Sequence, residues 1–276
     1  MMRQMLIKIN KEEELLYPAS GYILGVRNYS ICFSKSFSLD EIKKIKDENR
    51  DKKIFVSLNR LIFNDELELY KNTLKKLDDM NLDGIIVGDI AALTYNLKTR
   101  LILDQMHLNN SSYSIKHYFD NNVSGFVLTN DITLDEINKI KENNKNAVLF
   151  KQVFGLPHLS TSRRKLVSNY LNYFKLNKDS NLYEIKENNK DGSYYIYEDY
   201  FGTHILSKYP INLLKYINLL DVDYFIFDSF LLKTNEFVYD AFYTKDLSLN
   251  EKINDTFNAN EGFINKETIY KVKKND

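Results

Sequence analysis

Short, almost continuously apolar runs alternate with amphipathic stretches along most of the chain. Ile23 to Val26 and Ser30 to Phe33 read as extended segments, and Leu39, Ile42 and Ile45 follow at helical spacing. Ser38 with Glu41 three residues on is a capping-box signature that starts this helix. Lys53 to Asn59 reads as a strand, Asp65 to Met80 as a helix, Ile85 to Asp89 as a strand and Ala91 to Asn96 as a short helix. Leu101 to Met106, a helix over Ser112 to Asp120 and the run Gly125 to Thr129 repeat the beat. Thr133 and Glu136 form a second capping box before Ile137 and Ile140, and Ala147 to Val153 is the next run. Apolar runs that do not alternate are those of parallel strands covered on both faces. With no dinucleotide-binding glycine signature, the pattern predicts an α/β fold, a TIM-barrel-like (β/α) parallel barrel.

The rhythm breaks after Gly155. Arg163 to Phe174 reads as a helix, and Leu182 to Lys186 with Tyr194 to Tyr197 as an antiparallel pair turning near Asp191-Gly192. Barrel spacing is expected to resume at His204 to Leu206, with a helix over Ile211 to Leu220 and a strand over Tyr224 to Asp228. The rest is polar and irregular up to Glu267 to Val272, which reads as a closing strand. No Pro- or Gly-rich linker divides the chain. It therefore reads as one barrel domain over 1–276, with an inserted helix and β-hairpin segment at 156–203 and a C-terminal extension at 247–276.

Composition narrows the function classes. The 276 residues carry 38 Lys+Arg against 38 Asp+Glu, so no global positive field marks a nucleic-acid-coating protein. The single cysteine, Cys32, excludes a disulfide within the chain and any iron–sulfur cluster built from it alone. Met5 to Ile9 is an apolar patch interrupted by Lys8, too short for a secretory leader, and no run approaches a membrane span. A cytoplasmic protein with no membrane partner is the expectation. The 20 Tyr and 17 Phe supply core volume in a chain without Trp.

Active sites of such barrels lie at the carboxyl ends of the strands. Those ends offer Asn59, Asp89, Gln105 with His107 and Asn109 beyond it, Thr129, Gln152, and Asp228 with Ser229. Each is equally the residue type that caps a following helix, so only the collective ring argues for a polar ligand. The four histidines form no metal signature, so no metal ligand is assigned; His158 and His204 lie in different segments and can meet only through the fold. Cys32 has no base beside it in sequence and reads as a buried small residue. The stretch from Lys151 to Tyr170 holds a glycine turn, a proline, a Ser/Thr run and Arg163, Arg164 and Lys165. The stretch reads equally as an anion site for a carboxylate or phosphate and as a capped helix whose basic first turn faces solvent; cations crowding a helix start oppose the helix dipole, a local conflict that hints at the anion.

Several ordered fragments resemble the peptidase U32 family. Gly25-Val-Arg-Asn-Tyr-Ser30 and Phe37-Ser-Leu-Asp-Glu-Ile42 resemble its opening strand and helix, and Val56-Ser-Leu-Asn59 and Asp83 to Asp89 its next two strands. Leu134-Asp-Glu-Ile137 is similar to a family helix. Val153-Phe-Gly155 with Ser162-Arg163 and Leu166 to Tyr170 resembles the central signature, and Glu198-Asp199 with Gly202-Thr-His204 the block after it. Gly262-Phe263 and Thr268 to Val272 resemble the family's tail. The resemblance implies a barrel-like fold, and either a collagenase-like protease (a hydrolase) or prephenate-linked, oxygen-independent hydroxylation, including formation of 5-hydroxyuridine at the tRNA wobble position. Several members carry a four-cysteine iron–sulfur cluster after the central signature. No cysteine lies between Ser168 and Tyr200 here, so the chain resembles a short, cysteine-poor branch that pairs with a longer cysteine-bearing paralogue.

The leading expectation is a U32-type component of tRNA hydroxylation, an RNA-modification function. It binds no cofactor of its own, takes prephenate as co-substrate, and has tRNA and the cysteine-bearing paralogue as partners. Asn59, Asp89, Gln105, His107, Arg163, Arg164 and Asp228 are the substrate-binding candidates; Glu198, Asp199 and His204 are the catalytic ones, for proton handling. A peptidase is the alternative, through paired Asp89 and Asp228, since no Ser–His–Asp or His/Glu metal pattern exists. A non-catalytic subunit of the paralogue is the third reading.

Overall fold

The computed structural model describes residues 4–106, 108–188 and 192–266. Eight parallel strands close into a barrel: β1 (Gln4–Lys8), β2 (Gly21–Gly25), β3 (Lys53–Leu58), β4 (Gly84–Val87), β5 (Leu101–Leu103), β6 (Gly125–Leu128), β7 (Val148–Gly155) and, much later in the chain, β13 (Tyr224–Asp228). Each pairs with the next in order. The ring closes through β7 on β13 and through β13 on β1, where Gln4 faces Tyr224 and Lys8 faces Asp228. Helices α1 (Leu39–Glu48), α2 (Leu67–Asp78), α3 (Ser112–Phe119) and α4 (Leu134–Asn143) cover the outside. Both expected capping boxes form: Ser38 and Glu41 exchange side-chain-to-backbone bonds at α1, as do Thr133 and Glu136 at α4.

Two apolar layers result from strands buried on both faces. One lies between strands and helices; the other fills the barrel with Leu6, Ile23, Phe55, Ile86, Ile102, Phe150 and Ile226, against which Val127 packs. Phe150 stacks on Tyr224 at 4.7 Å and meets Phe55 edge-on at 5.4 Å, so aromatic volume plugs the lower barrel.

Between β7 and β13 the chain builds a second, antiparallel sheet in the order β8 (His158–Ser162), β11 (Gly202–Ser207), β10 (Ser193–Asp199), β9 (Leu182–Lys186), with α5 (Leu166–Tyr173) packed on it. β12 (Ile211–Asn212) then runs antiparallel to β7, and α6 (Glu236–Thr244) and α7 (Asn250–Phe257) follow β13. Gly155 makes the exit from β7 possible. Its φ is +123°, and a Cβ there would lie 2.3 Å from the carbonyl oxygen of Asp228. Glu14, buried in a 3-10 turn after β1, accepts from the Asn10 amide, Ser229 and Tyr239, tying the first loop to the last strand.

Several sequence expectations change. Gln4–Lys8 is the first barrel strand, hidden in sequence because its inward-facing terminal residue is Lys8. Ser30 to Phe33 is a turn rather than a strand: Cys32 has φ +56°, and Ser30 Oγ donates to the Val26 and Ser57 carbonyls. Its apolar side chains pack against barrel and inserted sheet without joining a ladder. The helix expected from Arg163 begins only at Leu166, and a 3-10 turn over Ile90–Thr94 replaces the one at Ala91 to Asn96. His204 to Leu206 belongs to the inserted sheet, not the barrel, so that sheet runs beyond residue 203 to Ser207. Ile211 to Leu220 is a two-residue strand and a 3-10 turn. The stretch expected to be irregular contains α6 and α7, and Ile264 is buried in the outer layer. The hairpin of β9 and β10 forms as expected, whereas Asp191, His107 and the expected strand Glu267 to Val272 lie outside the described residues.

Candidate ligand cavity at the barrel mouth

Side chains of a strand alternate between faces, so residues two beyond the inward apolar layer also point inward. Stepping from Leu6, Ile23, Phe55 and Ile86 gives Lys8, Gly25, Ser57 and Gly88; stepping from Ile102, Val127, Phe150 and Ile226 gives Asp104, Thr129, Gln152 and Asp228. All but Gly25 line one cavity of about 900 Å³, large enough for a metabolite-sized ligand. Its floor is Ile23, Ile86, Val127 and Ile226, and Pro157, His158 and Thr161 of the inserted segment overhang it.

The ring is electrostatically organised. Lys8 Nζ lies 2.7 Å from Asp228 Oδ2, donates to the Cys32 carbonyl and sits 4.3 Å from the centre of the Phe33 ring. Asp228 also accepts from Asn10 Nδ2 and the Phe230 amide. Burial pushes the Asp104 carboxyl above the usual carboxylate range, with Lys8 and the Met106 amide opposing the rise in part. Asn130 Nδ2 donates to Gln152 Oε1 at 2.7 Å, and Asn130 is itself held by Lys151. Burial lowers that ammonium to about 7, with Asp131 opposing the fall in part, and it donates to Thr129 O and Asn130 Oδ1. At the rim Arg60 holds Glu66 through both guanidinium nitrogens at 2.9 and 2.6 Å. Arg163 lies 3.7 Å over the Phe63 ring and has no ion-pair partner among the described residues.

The sequence-derived candidates divide. Asp228, Gln105, Asn59 and Arg163 line the cavity. Gln105 Oε1 is buried without a hydrogen-bond partner, whereas Asn59 is engaged by both backbone groups of Ile31. Asp89 does not line the cavity. It accepts from Ala91 N and Ile62 N at 2.8 Å each, the work of a cap, so it forms no acid pair with Asp228. Arg164 is exposed away from the cavity, its carbonyl taking the Thr203 hydroxyl. His107 lies outside the described residues.

Glu198 is buried beneath α5, accepting from Val167 N, Ser168 N, Ser168 Oγ, Thr203 Oγ1 and Lys178 Nζ. Burial alone raises this carboxyl, but the bonds from Lys178, Ser168 and Thr203 outweigh it and hold it at about 2. The anion expected at this helix start is therefore the chain's own Glu198, neutralised by Lys178 rather than by Arg163 or Arg164. Asp199 accepts from Phe201 N, Gly202 N and His204 Nε2, the last at 3.1 Å. His204 Nδ1 lies 3.0 Å from Thr161 Oγ1, which lies 2.8 Å from His158 Nε2. A hydrogen-bonded chain thus runs from Asp199 through buried His204 to His158 at the cavity wall. Cys32 closes the same corner; burial pushes its thiol up to about 12, which leaves it a poor nucleophile.

Sequence reasoning missed Lys8 and Asp104. Lys8 is hidden with its strand, and Asp104 adjoins Gln105 near the end of its run, where only inward parity distinguishes the two. Counting in steps of two from the apolar positions would have found Asp104 and Ser57.

The chain is 24% identical over 290 aligned residues to the "tRNA hydroxylation protein P2" of Bacillus subtilis, covering 91% of this chain and 93% of that one. It is 22% identical to the "Uncharacterized protease MJ0090" of Methanocaldococcus jannaschii over 76% of its own length and 53% of that protein's. Among solved structures, the U32 peptidase Mk0906 superposes with a TM-score of 0.50 at 12% identity, covering 82% of this chain and 92% of that one, a likeness of fold. The model of peptidase family U32 matches residues 14–258, and the chain belongs to that family.

Proposed function

We propose that this protein is a U32-family component of tRNA wobble-uridine hydroxylation. One observation carries the reading: its alignment with the Bacillus tRNA hydroxylation protein runs nearly end to end in both chains. The cavity supports it chemically. A carboxylated co-substrate such as prephenate suits a pocket with an apolar floor, an ammonium at Lys8 and, at its rim, the guanidinium of Arg163, which has no ion-pair partner among the described residues. At the mouth exposed Tyr200 lies under Lys165, and Tyr170, Tyr173 and Phe174 are exposed on and after the helix that follows Arg163, Arg164 and Lys165, stacking faces and cations of the kind that suits an unpaired RNA loop. Asp104 is the group best placed to hold or release a proton there. The single cysteine supports a cysteine-bearing paralogue as the redox partner.

Among the described residues the candidates for proteolysis do other work: Cys32 is a buried neutral thiol and Asp89 is a cap. Nucleoside mass spectrometry of tRNA from a deletion strain tests the proposal. Loss of 5-hydroxyuridine derivatives, restored by the gene, is expected; unchanged levels overturn it.

A further inference from the structure

We infer that Cys32, His158 and His204 form a binding site for one divalent transition-metal ion of the zinc class, with its fourth position open to the barrel cavity. One ligating atom from each of the three lies within 4.8 Å of the other two. Tetrahedral zinc needs thiolate and imidazole atoms roughly 3.5 Å apart, given metal–ligand bonds of about 2.0–2.3 Å. Closing that gap takes side-chain adjustment at all three ligands, of which His158 is the half-buried one.

Four further features point the same way. His204 donates from Nε2 to the Asp199 carboxylate, so its Nδ1 keeps a lone pair; this is the carboxylate–histidine arrangement that orients metal ligands. Thr161 Oγ1 bridges that Nδ1 to His158 Nε2, which also lies 3.1 Å from the Ser160 carbonyl oxygen, so the two rings already meet at one corner. The acidic groups of Asp228, Asp199 and Asp104 lie close enough to act on the Cys32 sulfur, with the ammonium of Lys8 opposing them. Leu156, Leu206 and Phe230 pack around Cys32 and shield the corner from water. A thiolate with two imidazoles selects zinc or cobalt over magnesium or calcium. Binding displaces the Cys32 thiol proton to solvent and leaves the ion's oxidation state unchanged.

Cys32 and His158 line the cavity while His204 is buried behind them, so the vacant coordination position faces whatever occupies the barrel mouth. The ion would then hold a carboxylate or hydroxyl oxygen of the cavity's guest, a role the ring of strand ends does not fill.

The test uses the purified full-length protein, stripped with a chelator and reconstituted with zinc alone or cobalt alone. Zinc is expected at one ion per chain by plasma mass spectrometry, with a rise in melting temperature. Cobalt is expected to give a near-ultraviolet thiolate-to-metal band with tetrahedral visible bands. Cys32→Ser should lose the thiolate band and His158→Ala should weaken binding at least about tenfold, while His117→Ala, on exposed α3, should match the parent. Circular dichroism of each stripped variant separates lost binding from lost folding, and the parent spectrum decides without any variant. Substoichiometric metal in the reconstituted parent, a cobalt spectrum without the thiolate band, or that band persisting in Cys32→Ser overturns the site. None of these readouts involves tRNA, so the result is independent of the hydroxylation reading.

Discussion

Glu198→Gln separates a proton-transfer role from a structural one. In the folded chain the carboxylate accepts three bonds at the start of α5, one from Thr203 on β11 and one from Lys178. Its value falls from 4.5 to about 2. Each unit is worth about 1.4 kcal/mol, so the charged form contributes roughly 3 kcal/mol to folding. Because the folded value is depressed, this contribution is complete above the unfolded carboxyl's range. It drains away as pH falls from about 4.5 toward 2. Glutamine keeps the shape but turns an acceptor into a donor facing donors. At neutral pH the variant should lose about 3 kcal/mol, or at ~2 °C per kcal/mol about 6 °C of melting temperature. The parent and variant should converge on acidification. Denaturant melts from pH 7 to pH 3, with hydrogen exchange over α5 and the inserted sheet, measure both. A variant as stable as its parent at pH 7 with tRNA hydroxylation abolished would refute the structural assignment and restore Glu198 as a proton-transfer group.

Asp104→Asn should behave oppositely. Burial disfavours the Asp104 charge, so the folded state loses stability as pH rises from the unfolded carboxyl's value to the raised folded one, and the loss is complete above it; removing the charge should raise the melting temperature at neutral pH and lower hydroxylated uridine in complemented cells. Asp89→Ala should cost roughly 0.5–2 kcal/mol through the lost cap, by thermal melt, and leave tRNA modification intact at permissive temperature. Arg163→Ala should show the reverse, with an unchanged melt and diminished modification, because its exposed guanidinium stacks on Phe63 at the cavity rim. Gly155→Ala combines left-handed strain with a backbone clash against Asp228 and should cost several kcal/mol, on the order of 3 or more, seen as insoluble expression or a collapsed melt.

The barrel was legible because burial on both faces leaves a local signature. Strands β3 to β7 and β13 are apolar runs, and the capping boxes at Ser38 and Thr133 announce α1 and α4 from four residues each. Much of the polar ring was legible too: Gln105, Thr129, Gln152 and Asp228 sit where strand ends place them. What the sequence could not decide depends on pairing between distant segments. Lys8 becomes a strand-end cation only because β1 docks beside β13 and brings it to Asp228, 220 residues away. Glu198 looks catalytic in a line of text and becomes a helix cap once β10 folds under α5. Cys32, His158 and His204 share no spacing rule, yet the turn after β2 and the inserted sheet bring them to one corner. Periodicity and caps are written locally by the balance of burial and backbone satisfaction, so sequence alone settled the elements and their class. Which charges meet is a matter of non-local register, and only the closed tertiary structure fixed it.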